Sequence, residues 1–287
     1  MIAAVLAVHG DADVLEACLR WHLEQGVEQL GLVRHQIRED AAEVLDRYRE
    51  VIALERTIQT PAYLQHQWLA ELREAMGEQL GLGPQDWFIH FDADEFWYGL
   101  SQLQEAPKQA VAAKTDLWVN YLPHHPEEFD FSQVSHADTL RAGLVRYPFQ
   151  AKVAVRAGQG VHTVMGNHAL DLPKGRRPDW RTWQSTIGID HFPLRTLAQM
   201  EAKTAQAVGG LQFREGPNDT RCLQWARWVR LQRRCPRGGL SKVFGQTFTR
   251  KRNLTVWEKQ GRPARPLREE ERQRLCHYQS LRGPSSA

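Results

Sequence analysis

Trp87-Phe88-Ile89-His90-Phe91-Asp92-Ala93-Asp94-Glu95-Phe96-Trp97 decides how this chain is read. A short apolar run has the form of a buried strand, and three carboxylates follow it within four positions. In an extended segment side chains at i and i+2 share a side, so Asp92 and Asp94 are expected to converge while Glu95 faces elsewhere. Two like charges so close repel unless a cation or a proton lies between them. Oxygen ligands at a strand end suit Mg²⁺ or Mn²⁺. A lone Asp-x-Asp is more often a solvated acidic turn. Strand placement and an aromatic frame make this one a candidate metal site.

Working toward the N-terminus, Ile2 to Val8 is a continuous apolar run and reads as a first buried strand, followed by the turn His9-Gly10-Asp11-Ala12-Asp13. Asp13 and Glu16 have the spacing of a capping box, and Val14, Leu15, Cys18, Trp21 and His22 recur at helical spacing up to Gly26. Gln29–Val33 and Val51–Leu54 read as strands, Ala41–Tyr48 and Ala62–Leu80 as helices, the latter broken by Gly81-Leu-Gly-Pro84. This alternation predicts a parallel sheet of right-handed βαβ units, with ligands beyond the carboxyl ends of its strands. The turns holding Asp11 and Asp92-Ala-Asp94 should then share one crevice. Downstream, Leu117–Leu122 and Lys152–Arg156 read as strands and Leu197–Val208 as a helix.

The 287 residues are 42% hydrophobic and 25% charged, enough for one large α/β domain with an appendage. No apolar run is long enough to span a bilayer, and Met1–Leu6 lacks the basic flank of a signal peptide. Cys18, Cys222, Cys235 and Cys276 form no Cys-x-x-Cys pair, the usage of a reduced, cytoplasmic protein. A net charge of +3 hides an asymmetry: acids exceed bases by about ten up to Glu95, and the excess reverses from Arg214 to Arg282. In that basic end Leu223, Trp225, Trp228 and Leu231 form an apolar stripe at helical spacing, ringed by arginines. A stripe that must be buried argues for packing on the acidic half rather than for a nucleic-acid platform, which exposes its aromatics.

The first two hundred residues resemble a branch of the inverting glycosyltransferases of the family 2-like, GT-A type. The residues are Gly10-Asp11, the helix Leu15-Glu-Ala-Cys-Leu-Arg-Trp-His22-Leu-Glu-Gln-Gly26-Val27, and Asp92-Ala-Asp-Glu-Phe96, a DxD motif. Lys152–Arg156 with His162, and His191-Phe-Pro-Leu-Arg195 with Lys203, are similar to downstream signatures of the same group. The family's Asn-Glu after strand one is Gly10-Asp11 here. Its acidic turn after strand two is Arg34-His-Gln-Ile-Arg-Glu-Asp40.

The resemblance implies a GT-A-like, Rossmann-related, mostly parallel sheet flanked by helices over residues 1–210, with a basic, mainly helical extension over 211–287 packed on the same domain. It implies transfer of a sugar, with inversion, from a nucleotide-sugar donor of UDP type to a glycan, lipid-linked or protein acceptor. Mn²⁺ or Mg²⁺ held by Asp92 and Asp94 would neutralise the leaving diphosphate. His9, Gly10, Asp11 and Arg34 would meet the nucleotide, with Arg34 and His35 giving weak selectivity among nucleotides. A carboxylate base is also needed; Asp190 and Glu95 are both candidates, and spacing does not choose between them. His162, His168 and His191 are candidates to complete the metal shell or contact the diphosphate, with His191 preferred because it follows a strand-like run. Trp97 is a candidate wall of the sugar pocket. Two readings compete: a non-catalytic nucleotide-sugar-binding relic of the fold, and a metal-dependent phosphoryl-transfer enzyme. The second lacks a Gly-x-x-x-x-Gly-Lys or His-Glu-x-x-His element.

Overall fold

A computed structural model describes residues 1–60, 64–123, 129–134, 140–144, 151–171, 181–211, 229–230, 232–235, 238–242 and 267–282. In chain order the elements are β1 (Ile2–Val8), α1 (Ala12–Glu24), β2 (Val27–His35), α2 (Glu39–Asp46), β3 (Ile52–Ile58), α3 (Gln65–Leu80), β4 (Trp87–His90), β5 (Glu95–Tyr98), β6 (Ala112–Lys114), β7 (Leu117–Pro123), β8 (Leu140–Leu144) and β9 (Val153–Arg156). They continue with β10 (His162–Thr163), β11 (Leu170–Asp171), β12 (Thr182–Gln184), β13 (Gly188–His191), α4 (Leu197–Leu211) and α5 (Glu269–Ser280).

The apolar runs become strands buried on both faces. Along β1, Ile2, Ala4, Leu6 and Val8 enter the core shared with Leu15 and Leu19 of α1, whereas Ala3 and Val5 enter the opposite core with Leu69, Leu72 and Met76 of α3. Period-two alternation between two apolar layers is why the strand carries no polar residue. Trp87 and Ile89 of β4 likewise join the first core and Phe88 the second. Gly81 takes a left-handed conformation, φ 64°, and ends α3 where the sequence predicts the break.

Seven strands form the central sheet in the order β12-β6-β9-β4-β1-β2-β3. The pairs β3–β2, β2–β1 and β1–β4 are parallel, and β9 runs antiparallel to both β4 and β6. The protein is thus a mixed α/β structure with a mostly parallel central sheet flanked by helices. A second sheet, β5-β13-β7-β8, stands beyond the carboxyl end of β4. The predicted capping box does not form. The helix starts at Ala12 after a left-handed Asp11, so Asp13 lies within the first turn and bonds Arg195, while Glu16 pairs with Arg20 and Arg47.

One face of α1 holds the edge of this second sheet. Cys18 Sγ donates to the Glu95 carbonyl (3.3 Å), and Trp21 Nε1 donates to the Trp97 carbonyl (2.6 Å). His22 Nε2 accepts from the Trp97 amide (3.4 Å), and Gln25 Oε1 accepts from the Gly99 amide (3.0 Å). Residues 18, 21, 22 and 25 share a helical face, while 95, 97 and 99 are the alternate positions of a strand. Trp97 is accordingly fully buried core and not the pocket wall expected from sequence.

The basic stripe of Leu223, Trp225, Trp228 and Leu231 lies outside the described residues. Beyond it the chain returns as α5, which packs on α1: Tyr278 meets the Trp21 ring edge-on at 4.7 Å, and His277 bonds Glu24. Among the described residues no helix is long and apolar enough to cross a membrane, and Cys18, Cys235 and Cys276 are free thiols.

His22 is stacked on Phe91 at 3.7 Å, and its Nδ1 donates to the Cys18 carbonyl (2.7 Å), which leaves Nε2 to accept. Burial lowers its pKa to about 3. The unfolded chain therefore binds the extra proton first, and this residue's contribution to stability is lost as pH falls from about 6.5 toward the folded value. In an NMR titration the His22 ring should remain neutral from about pH 8 to about pH 5. A midpoint near the ordinary histidine value would contradict the assignment.

Candidate active site

Strand order reverses between β1 and β4, and the crevice beyond their carboxyl ends is the place where such sheets bind ligands. A cavity of about 750 Å³ opens there. Its floor is the turn after β1, from His9 to Asp13, and the turn after β4, from Asp92 to Glu95. Trp118 and Asn120 of β7 with Phe129 and Phe131 make an aromatic wall, and Ala198, Gln199, Ala202, Lys203 and Gln206 of α4 line the cavity as well. The two acidic turns share this crevice, as the strand alternation predicts.

The turn after β4 is not extended. The Asp92 carbonyl accepts from the Glu95 amide (2.9 Å), and Glu95 Oε2 accepts from the Asp92 amide (3.1 Å), so the carboxylates diverge. Asp92 Oδ2 meets Lys152 Nζ at 3.0 Å and Oδ1 accepts from Gln65 at 3.0 Å. Asp94 Oδ2 accepts from Lys203 Nζ at 2.8 Å, with His191 Nε2 3.6 Å from its other oxygen. Glu95 Oε2 lies 2.5 Å from Lys152, whose side chain is 1% exposed.

Burial sets the protonation order. It raises the Glu95 carboxyl to about 8, against the pull of Lys152 and helped by the charge of Asp92. Burial opposes ionisation of Asp92 and Asp94 too. Lys152 and His90 outweigh it at Asp92, and Lys203, His191 and Arg195 at Asp94, so both stay well below the usual carboxylate range. Asp92 is thus the charge that answers Lys152, while Glu95 keeps its proton at neutral pH.

These residues as arranged do not fit a divalent cation. Each aspartate already faces a lysine, and among the described residues no group of three His, Cys, Asp or Glu side chains is disposed to hold a metal ion. The expected set Asp92, Asp94 and His191 is therefore not assembled as ligands. His191 Nε2 lies 3.6 Å from Asp94, and His191 Nδ1 is taken up with Asn120 Oδ1 at 2.7 Å.

His9, Gly10 and Asp11 line the cavity as expected. Asp11 is held by Arg195 (2.5 Å) and Gln199 (3.1 Å). Arg195 is 1% exposed and also grips Asp13 and the Phe192 carbonyl, so it braces the turn after β1 from behind. Arg34 does not join the site: it pairs with Asp46 and Glu55, each at 2.8 Å, and His35 lines the cavity instead. The expected Arg34 contact with a nucleotide is corrected accordingly. His168 lines the cavity, whereas His162 lies outside its lining with Glu74 nearby at 3.8 Å.

Asp190 is the clearest correction. Its side chain is fully buried and takes bonds from Arg274 Nε (2.6 Å) and Nη2 (3.1 Å), Tyr121 Oη (3.1 Å) and Tyr278 Oη (2.7 Å). It anchors α5 and does not line the cavity, so it is not the base. Glu95 is the remaining candidate. Sequence reasoning also missed Arg38, whose Cδ lies 3.2 Å from where a Cβ on Gly10 would stand. The one available signal was the glycine at position 10, which leaves room for Arg38.

No known protein-family model matches the chain, and no curated protein matches it either. The fold is that of an α/β protein with a crevice at its sheet switch point.

Replacing Arg274 with methionine leaves the Asp190 charge buried without its cation. Breaking such a pair should lower the unfolding free energy by about 3 kcal/mol. Urea denaturation of Arg274→Met against the parent protein measures this. A loss under about 1 kcal/mol would show that the two tyrosines alone satisfy the carboxylate.

Proposed function

We propose that this chain is an inverting glycosyltransferase of GT-A type that moves a sugar from a nucleotide-sugar donor, UDP-linked by expectation, to a hydroxyl acceptor. The observation that carries the reading is the crevice at the β1/β4 reversal. There an acidic turn and Lys203 share the cavity with an aromatic wall of Trp118, from the second sheet, and Phe129 and Phe131, from the segment between β7 and β8. A donor diphosphate needs positive charge where the glycosidic oxygen leaves, and a sugar acceptor suits apolar ring faces with a few polar groups. Asn120 Oδ1, which accepts from His191 Nδ1 (2.7 Å) and Trp118 Nε1 (3.2 Å), and His191 itself supply polar groups beside that wall.

Within this reading Glu95 is the base that accepts the acceptor hydroxyl's proton, since it lines the cavity and Asp190 does not. A base must be unprotonated to act, and burial raises Glu95 to about 8. Turnover should therefore climb as pH rises toward that value and level off above it. Glu95→Gln should cost about 10²- to 10⁴-fold in rate with the fold retained. A flat pH profile between about 6 and 9, or an active Glu95→Gln protein, would remove Glu95 from the role.

The reading itself is tested by incubating the protein with UDP-, GDP-, ADP- and CDP-sugars and measuring nucleotide release, first for a UDP-sugar. Release from none of them, with a melting temperature raised by one, would favour the competing reading of a binding protein. That alternative has its own observation, because Asp92 and Asp94 are both already paired with lysines.

A further inference from the structure

Seven carboxylates line the cavity, and each has a protein cation close by. The pairs are Asp11 and Asp13 with Arg195 (2.5 and 2.7 Å), Asp40 with Arg38 (2.8 Å), Asp92 and Glu95 with Lys152 (3.0 and 2.5 Å), Asp94 with Lys203 (2.8 Å) and Asp130 with Arg282 (3.0 Å). Five cations answer seven carboxyl groups, and the proton kept by Glu95 covers part of the difference. A divalent ion entering between the two turns would have to separate lysine–carboxylate pairs that are already made.

Two of these five cations line the cavity, Lys203 and Arg38, and of the two only Lys203 pairs with the turns after β1 and β4, since Arg38 pairs with Asp40. Lys152 and Arg195 are each 1% exposed and are not in the lining, whereas Lys203 is 19% exposed. Its Nζ is 2.8 Å from Asp94 and 3.5 Å from Asp11, so it bridges the turns after β1 and β4. A phosphate-bridging metal would have to touch the same two turns. The ammonium has three N–H donors; Asp94 takes one in a hydrogen bond and Asp11 stands at ion-pair distance, so donor capacity remains for a ligand oxygen. Small residues at Ala198 and Ala202, one turn apart on the same helical face, let a ligand approach α4 beside it. Burial opposes its charge, but Asp11 and Asp94 more than restore it.

We infer that Lys203 holds the diphosphate of the donor directly and takes the place of a divalent cation, so that nucleotide binding does not require a metal. This rests on the transferase reading above and specifies how its donor is held. Lys203 is a binding residue in this proposal.

The test is calorimetric titration of the full chain with UDP, GDP, CDP and ADP, each in excess EDTA and each with Mn²⁺. At least one diphosphate should bind in EDTA, with an affinity within about threefold of that in Mn²⁺. The corresponding monophosphate should bind more weakly. Lys203→Gln should weaken the diphosphate at least about tenfold in EDTA and erase its advantage over the monophosphate, while Lys203→Arg keeps most of it. If Lys203→Gln melts too low to assay, Lys203→Arg and the EDTA comparison on the parent protein decide the matter. Binding that appears only with Mn²⁺ overturns the inference and leaves the transferase reading standing. An unchanged affinity in Lys203→Gln overturns it as well. Failure of every nucleotide in both conditions overturns the inference and the transferase reading together.

Discussion

The docking of α1 against the free edge of β5 is the contact on which the rest of the molecule depends. An edge strand exposes alternate amides and carbonyls, and buried ones must find partners. Here the partners are side chains: Cys18 at Glu95, Trp21 and His22 at Trp97, and Gln25 at Gly99. Because β5 follows the Asp92–Glu95 turn directly, fixing the backbone at 95 and 97 also fixes where the acidic turn sits. The other neighbour of β5, the strand β13, carries Asp190 and His191 past it in antiparallel register. One helix face thus sets the position of the second sheet relative to the first, and the cavity lies between them.

Charge within the cavity obeys the same economy of partners. Placing a lysine as buried as Lys152 in an apolar wall would be prohibitive without the charge of Asp92, and burying the Asp92 carboxylate would be equally so without the lysine. The arrangement is strict because removing any member leaves the others uncompensated. Arg195 does for the turn after β1 what Lys152 does for the turn after β4. Its guanidinium spreads over Asp11, Asp13 and a carbonyl in a fork that an ammonium could not match.

The helix α5 packs on the second sheet and on α1, and Arg282 just after it pairs with the cavity-lining Asp130. Arg274 and Tyr278 of α5 reach Asp190 of β13, and Tyr278 also packs on Trp21 and on Phe96 at 4.4 Å. The end of the chain therefore braces the same α1–β5 contact from the far side. Charge complementarity between an acidic first half and a basic end is legible in composition. The buried Arg274–Asp190 pair is a separate pairing, since Asp190 lies well beyond the acidic stretch that ends at Glu95.

Sequence alone determined the parallel core, because strands buried on both faces must be uniformly apolar and the helices between them must be amphipathic. It also located the two acidic turns on one edge, since a parallel sheet directs the carboxyl ends of its strands to one side. Sequence did not determine which way a carboxylate points or what it meets. Asp92 and Asp94 were expected to converge as i and i+2 of a strand, and a tight turn sent them to different lysines, one 60 residues away and the other 109. Asp190 had the local setting of a base, and an arginine 84 residues later took it into the core. Such partners come from distant segments, and local spacing carries no signal for them. Only the packing of α1, α4 and α5 onto the two sheets decided which charges face the cavity and which are spent inside the protein.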